Sequence, residues 1–384
     1  MAISEQELME LRIKQDHGIK LSKEEKALLK SNSAEEKEKK KGMSLGQRLK
    51  AACNSEYAQD MSEDNRYETR DYIDSGSIMF NVLLSGFYDK GYPAGRIVSL
   101  AGLSATGKSM MGIEAVKHAQ AKGYTAICFD SEFVWNSREE LLARNVDLDK
   151  FIYIPVDTIE SLRSSILNIL DEVTEDDKVI ILIDSLGNLT SESEISTAQE
   201  NTGKSDVGRR AALVKSLMRT ITLKCGLAQI PVIAIQHTYQ TIGGMFPQTV
   251  VASGSGTLYN SSIIVEFIKS QDKDKDKKVV GAKIRAKNLK NRFSLEKAEV
   301  SFGISFSEGV LRYSGLLEWC EANKFFKVSG RGYEYQGQKI QKSDMTPDFW
   351  ETLLAGELGK KLTEAFKYQS STDGLLDDVE ENIE

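Results

Sequence analysis

One stretch restricts the fold more than any other: Arg96-Ile-Val-Ser-Leu-Ala-Gly102-Leu103-Ser104-Ala105-Thr106-Gly107-Lys108-Ser109-Met110. An apolar, β-prone run enters a glycine-rich turn, and a helical pattern opens near Met110 and runs to about Ala121. The turn fits G-x-x-x-x-G-K-[ST], and each fixed position has a chemical reason. Gly102 and Gly107 let the backbone curl until several amide N–H groups face one concavity, where anionic oxygens can sit. The helix adds the positive end of its dipole. Lys108 is placed to reach the β- and γ-phosphates of a nucleotide, and the Ser109 hydroxyl to take Mg²⁺. Strand, loop and helix together mark Gly102 to Met110 as a nucleotide site in an α/β domain.

The strands around this loop follow from apolar runs. Thr125-Ala-Ile-Cys-Phe-Asp130 ends in the acidic cluster Asp130-Ser-Glu132, and this strand is expected beside the phosphate-loop strand. Phe151–Pro155 and Pro231–Gln236 read as further strands, with helices near Ser137–Asn145, Ile159–Val173 and Arg209–Leu223. Val179-Ile-Ile-Leu-Ile-Asp184-Ser185 is five apolar residues capped by a carboxylate. Continuous apolar runs suit parallel strands buried on both faces. An Asp at the carboxyl end of such a strand falls where nucleotide sites of open α/β sheets lie, so Asp184 is a candidate Mg²⁺ ligand. Two long stretches, Ser191–Gly208 and Tyr239–Gly256, read as irregular loops following strands that end on the nucleotide side. Loops of that length inside a compact domain are usually functional. Ser262–Ile268 and Val279–Ala286 read as an antiparallel pair.

Composition sets outer bounds. With 384 residues, 40% hydrophobic and 28% charged, the chain resembles an ordinary globular protein of two or three domains. No apolar run reaches the length of a membrane helix, and the N-terminus lacks a signal core, so a cytoplasmic protein is expected. Cys53, Cys128, Cys225 and Cys320 are scattered and read as buried thiols. The net charge of −7 argues against nucleic acid, but Asp373, Asp377, Asp378, Glu380, Glu381 and Glu384 crowd the last twelve residues. Without that tail the body is nearly neutral, which leaves room for a basic groove.

Lined up, these pieces resemble the RecA/UvsX homologous-recombination ATPases from about Tyr72 to Lys342. The carriers are Ser75-Gly-Ser, Gly91-Tyr-Pro-Ala-Gly-Arg-Ile-Val98, Gly102–Ser109, Asp130-Ser-Glu132-Phe133 and Ile183-Asp184-Ser185-Leu-Gly-Asn-Leu189. Ala234-Ile-Gln-His237-Thr-Tyr, Met245-Phe246, Lys287-Asn288 and Tyr313-Ser-Gly-Leu-Leu317 complete them. The Asp-Ser-Glu-Phe, His-Thr-Tyr and Tyr-Ser-Gly-Leu-Leu pieces look most like the phage UvsX branch.

The resemblance implies a RecA-type core with a mostly parallel sheet flanked by helices, a helical N-terminal segment and a small C-terminal α+β unit. The divisions are 1–71, 72–312, 313–370 and an acidic tail, 371–384. It implies an ATPase using ATP and Mg²⁺, with Lys108 on the phosphates, Glu132 as the base that activates water, and His237 as a sensor of the γ-phosphate. Lys287 and Lys290 would reach the ATP of a neighbouring subunit, although the family pattern is Lys-x-Lys and this chain has Lys287-Asn-Leu-Lys290. The two loops would bind DNA, through Val207, Arg209, Arg210 and Arg219 around the end of the first, and Met245 and Phe246 in the second. The implied function is a recombinase forming a homo-oligomeric helical filament on single-stranded DNA and exchanging strands with double-stranded DNA. A single-strand-binding protein and a mediator are the further partners it implies, in the host cytoplasm if the source is viral. A RecA-fold hexameric helicase and a weakly hydrolysing recombination mediator are the alternatives.

Overall fold

The computed structural model describes residues 5–31, 42–53, 55, 57–61, 65–174, 176–200, 207–240, 249–251, 260–273 and 276–368. The chain divides into two compact units, Met1–Glu68 and Thr69–Glu384. The first carries the helices Glu5–Asp16 and Leu45–Ala52, the latter started by a capping box between Ser44 and Gln47.

A ten-stranded sheet organises the second unit. Its strands are β1 (Ile97–Gly102), β2 (Thr125–Asp130), β3 (Phe151–Pro155), β4 (Val179–Asp184) and β5 (Val232–Gln240). There follow β6 (Thr249–Val251), β7 (Ile263–Lys273), β8 (Val279–Asn291), β9 (Glu299–Ser305) and β10 (Gly309–Val310). The order is β10-β9-β8-β7-β1-β5-β4-β2-β3, with β6 pairing to β5. Strands β7, β1, β5, β4, β2 and β3 are parallel, and β8, β9 and β10 extend the sheet antiparallel.

Alternation along the strands builds two apolar layers. Val98, Leu100, Ala126, Cys128, Ile180, Leu182, Ile233 and Ile235 join one core cluster. Ile97, Ile127, Phe129, Ile181, Ile183, Val232 and Ala234 join the other. Neighbours in sequence bury on opposite faces, so the runs read as unbroken hydrophobicity. Helices α1 (Ile78–Ser85) and α2 (Lys108–Ala121) contribute to the first layer, and α4 (Ile159–Glu172) and α6 (Val207–Leu227) to the second; in sequence α3 (Arg138–Ala143) falls between α2 and α4, and α5 (Glu192–Glu200) between α4 and α6. Gly112 permits close packing of α2 on the sheet: a Cβ there would stand 2.8 Å from Leu182 Cδ1. The C-terminal elements α7 (Leu316–Ala322), α8 (Pro347–Ala355), α9 (Glu357–Phe366) and a three-stranded antiparallel sheet over Lys327–Ile340 share the first core through Leu316, Phe326, Trp350 and Leu362.

Four sequence expectations need correction. Strand β2 does not flank β1; β5 and β4 lie between them, which at sheet spacing separates the two by about 14 Å. The stretch after Ser191 is not wholly irregular. Helix α5 begins there with Ser191 and Glu194 bonding reciprocally, backbone to side chain, at 2.9 and 3.1 Å, a capping box written in the sequence as Ser-x-x-Glu. Part of Tyr239–Gly256 is also ordered, because Thr249–Val251 returns antiparallel onto Thr238–Gln240. Cys53 is exposed, whereas Cys128, Cys225 and Cys320 are buried; all four are free thiols. No helix among the described residues is long and apolar enough to cross a membrane.

Candidate nucleotide and nucleic-acid site

The phosphate loop sits where β1 hands over to α2. Gly107 stands at φ +93°, in the left-handed region, and a Cβ on it would meet Ile304 Cδ1 at 2.9 Å. At Gly102 a Cβ would stand 2.7 Å from the Phe267 carbonyl oxygen. Gly107 is the N-cap of α2 and supplies no side-chain bond, so the first-turn amides stay available to an anion. The Lys108 ammonium donates to the carbonyl oxygens of Gly102 (3.0 Å) and Leu103 (2.7 Å) within the loop. Burial lowers its pKa, and the charges of Asp184 and Glu132 act in the opposite sense.

The carboxyl ends of β2, β4 and β5 bring the remaining groups to the same cleft, which holds about 740 Å³ and is lined by Lys108, Ser109, Glu132, Asp184 and His237. Glu132 reaches it although β2 is far from β1, because the chain folds back over β4 after Asp130. The Ser131 amide donates to the Asp184 carbonyl at 2.8 Å, and the Ser131 and Ser185 groups bond reciprocally at 2.9 and 3.0 Å. Glu132 Oε1 then accepts from the Ser185 hydroxyl at 2.5 Å and faces His237 Nε2 at 2.7 Å. Burial pushes the Glu132 carboxyl up. The bonds from Ser185 and His237, with the charges of His237 and Lys108, outweigh that and hold it below the ordinary carboxylate range.

Asp184 is the opposite case. Burial raises it, joined by the neighbouring Glu132 and Asp130 charges, and bonds from Ser109 and Trp135 offset only part, leaving its pKa at about 6. The Ser109 hydroxyl and the Asp184 carboxylate both line the cleft, oxygen donors of the kind a small hard cation takes. Among the described residues no group of three or more His, Cys, Asp or Glu could hold a metal by itself. That donor set fits Mg²⁺, which takes one or two protein oxygens and completes its shell with phosphate and water.

A family model described as RecA N-terminal domain matches residues 58–311. This chain belongs to the RecA family. It is 33% identical over 276 residues to the "Recombination and repair protein" of Enterobacteria phage T4, spanning 71% of this chain and 69% of the phage protein. It is 28% identical over 312 residues to "Protein RecA" of Laribacter hongkongensis, spanning 79% and 84%.

Against the RecA-family pattern, the lysine spacing has a structural explanation. In β8, Lys287 pairs with Glu266 and Asn288 with Val265, and the register then jumps so that Lys290 pairs with Ile264. Leu289 is the extra residue of a β-bulge. Glu266 and Ile264 are two apart on β7, so Lys290 takes the position that the third residue of Lys-x-Lys would occupy. Neither lysine lines the cleft around Lys108. Asn288 and Asn291 anchor the bulge, each donating to the Leu83 carbonyl at 3.0 Å at the end of α1.

The arginines divide. Arg210 is committed to the turn after β4, donating to the carbonyls of Leu189 (2.8 Å), Gly187 (2.7 Å) and Leu186 (3.3 Å). Arg209 and Arg219 are exposed on α6. Arg219 lies twelve residues past Val207, the first residue of the helix, so about 18 Å from its start and not at the loop end. Met245, Phe246 and the acidic tail 371–384 lie outside the described residues.

Two residues that bear on the site escaped sequence reasoning. Phe306, in the β9–β10 turn, lines the cleft with 67% exposure, and only its setting Ser-Phe-Ser-Glu-Gly, a polar turn with one aromatic, signalled it. Trp135, 3% exposed, reaches Asp184 from the turn after β2; nothing in its sequence distinguishes it from a core aromatic.

Proposed function

We propose that this chain is an ATP-dependent DNA recombinase that assembles head to tail into a helical filament on single-stranded DNA and exchanges strands with a homologous duplex. The convergence of Lys108, Ser109, Asp184, Glu132 and His237 on one cleft at the carboxyl edge of a RecA-family sheet carries this reading.

The loop amides and Lys108 bind and orient the polyphosphate of ATP, Lys108 exchanging loop carbonyls for phosphate oxygens. Ser109 and Asp184 would hold Mg²⁺, which when bound would offset charge on the phosphates. Glu132, ionised at neutral pH, accepts the proton of the attacking water. Phe306 offers a ring on which the base stacks. His237 bonds Glu132 from β5, and β5 continues into the β6 hairpin whose connecting residues, 241–248, contain Met245 and Phe246. DNA held at that hairpin is thereby linked, through β5 and His237, to the carboxylate that activates the attacking water, which supports DNA-stimulated hydrolysis.

Assembly is supported by two features. Strand β3 is a sheet edge whose Ile152 is 49% exposed, a surface that another chain can extend. The bulge sets Lys287 and Lys290 on one face of β8, which supports their acting as a pair on a neighbour's ATP. Arg209 and Arg219 supply cations for single-strand phosphates, and exposed Lys327, Arg331 and Lys339 of the C-terminal sheet supply them for duplex DNA. In this reading residues 1–71 make subunit contacts, 72–312 form the ATPase core, 313–370 the appended unit, and 371–384 a tail competing with DNA. A single-strand-binding protein and a mediator act with the filament in the cytoplasm. Electron microscopy with ATPγS and a long single strand, beside phosphate release with and without DNA, tests it. Open helical filaments with stimulated hydrolysis are expected; closed six-membered rings would replace the recombinase with a hexameric motor.

A further inference from the structure

The turn Asp130–Trp135 holds more order than a base-bearing loop requires. The Asp130 carboxylate, fully buried, is divided between two amides: Oδ1 accepts from Glu132 N–H at 2.9 Å and Oδ2 from Trp135 N–H at 2.9 Å. The indole Nε1–H of Trp135 then donates to Asp184 Oδ2 at 3.1 Å. Trp135 is 3% exposed, and the Arg144 guanidinium lies over its ring, 5.8 Å from the centroid. One tryptophan therefore links the strand end carrying the water-activating carboxylate to the strand end carrying the Mg²⁺ carboxylate.

We propose that Trp135 is a positioning residue for Mg²⁺, fixing the Asp184 carboxylate plane so that one oxygen is occupied by the indole N–H and the other is presented with Ser109 to the cation. This rests on the reading of Asp184 as a Mg²⁺ ligand. The physical case has three parts. A carboxylate 1% exposed cannot draw on water to hold its orientation, so each protein donor counts. An indole N–H donates and cannot accept, so it engages the one oxygen Oδ2 as an acceptor and leaves Oδ1 without a bond from Trp135. Partners that orient a metal-ligating group are typically worth 10- to 100-fold in metal affinity.

The experiment measures Mg²⁺ binding to the full chain with ADP by isothermal titration calorimetry for the parent, Trp135→Phe, Asp184→Asn and a chain carrying β-(3-benzothienyl)alanine at position 135. The benzothiophene keeps the bicyclic shape and replaces N–H by sulfur, so it removes the donor without opening the space that phenylalanine would. The result expected is a Mg²⁺ dissociation constant raised roughly tenfold in both position-135 variants, with metal-free ADP affinity and melting temperature unchanged in the benzothienyl chain. In parent protein labelled with 5-fluorotryptophan, the ¹⁹F resonance that Trp135→Phe deletes should move when Mg²⁺ joins ADP. Unchanged Mg²⁺ affinity in the benzothienyl chain, beside a weakened Asp184→Asn, overturns the role of Trp135 and leaves the ligand reading intact. Unchanged affinity in Asp184→Asn overturns the ligand reading and this role with it.

Discussion

Glu132→Gln is the substitution whose outcome the geometry specifies most fully. The side chain is about 29% exposed and its Oε1 accepts from Ser185 at 2.5 Å and His237 at 2.7 Å. A glutamine of the same length keeps an oxygen at that point, so both bonds and the fold of the turn persist. What disappears is the charge and the capacity to take a proton. A positioned general base contributes roughly 10²–10⁴-fold, about 3–5 kcal/mol of barrier. DNA-stimulated phosphate release should therefore fall by that factor, while nucleotide affinity and DNA affinity at fixed salt stay within about threefold. The assay pairs steady-state phosphate release with fluorescence anisotropy of a labelled oligonucleotide in ATP. Turnover within tenfold of the parent would refute the base assignment. Equal losses of turnover and nucleotide binding would show that the substitution had broken the site.

Three further outcomes follow from the same geometry. Lys108→Ala removes the ammonium that the loop holds at 2.7–3.0 Å from its carbonyls and should weaken ATP binding at least about 100-fold by calorimetry, charge-assisted bonds to phosphate being the strong ones. Deleting Leu289 should remove the bulge and leave Lys290 on the same face, so filament-dependent hydrolysis should stay within about threefold, whereas Lys290→Ala should lower it more than tenfold. At the junction of core and C-terminal unit, Asp74 accepts from Arg312 at 2.8 Å. Burial raises its pKa, but the bonds from Arg312 and Asn81 outweigh that and hold it below 3.8. The stability this carboxylate contributes is thus fully present above pH 3.8 and is lost as pH falls through the lower folded value. Asp74→Asn should cost about 1–3 kcal/mol in urea unfolding at pH 7, and the difference from the parent should shrink below pH 3.8.

What could be read without coordinates was whatever local chemistry dictates. Gly102, Gly107, Lys108 and Ser109 are each fixed by a phosphate's demands. Thr125–Asp130 and Phe151–Pro155 have the strand bounds their apolar runs suggest; the first is apolar because both its faces are buried, whereas the second is the half-buried edge of the sheet. Sheet order is set by how helices cross over, which no run of residues encodes, so β2 was misplaced beside β1 even though Glu132 still reaches Lys108's cleft. Arg210 illustrates a different limit. A basic residue at a loop end looks the same whether its guanidinium faces a nucleic acid or, as here, three carbonyls of the preceding turn. The Ser191–Glu194 capping box, by contrast, is legible as Ser-x-x-Glu, but the polar residues around it give no apolar face to mark the helix it begins.

The most direct test of the central claim is strand exchange between circular single-stranded DNA and a homologous linear duplex, with purified chain and ATP·Mg²⁺. The account predicts joint molecules and exchanged products that require homology and vanish with Lys108→Ala. Unwinding of duplex DNA without regard to homology, or ATP hydrolysis with no pairing at any protein-to-DNA ratio, would contradict it.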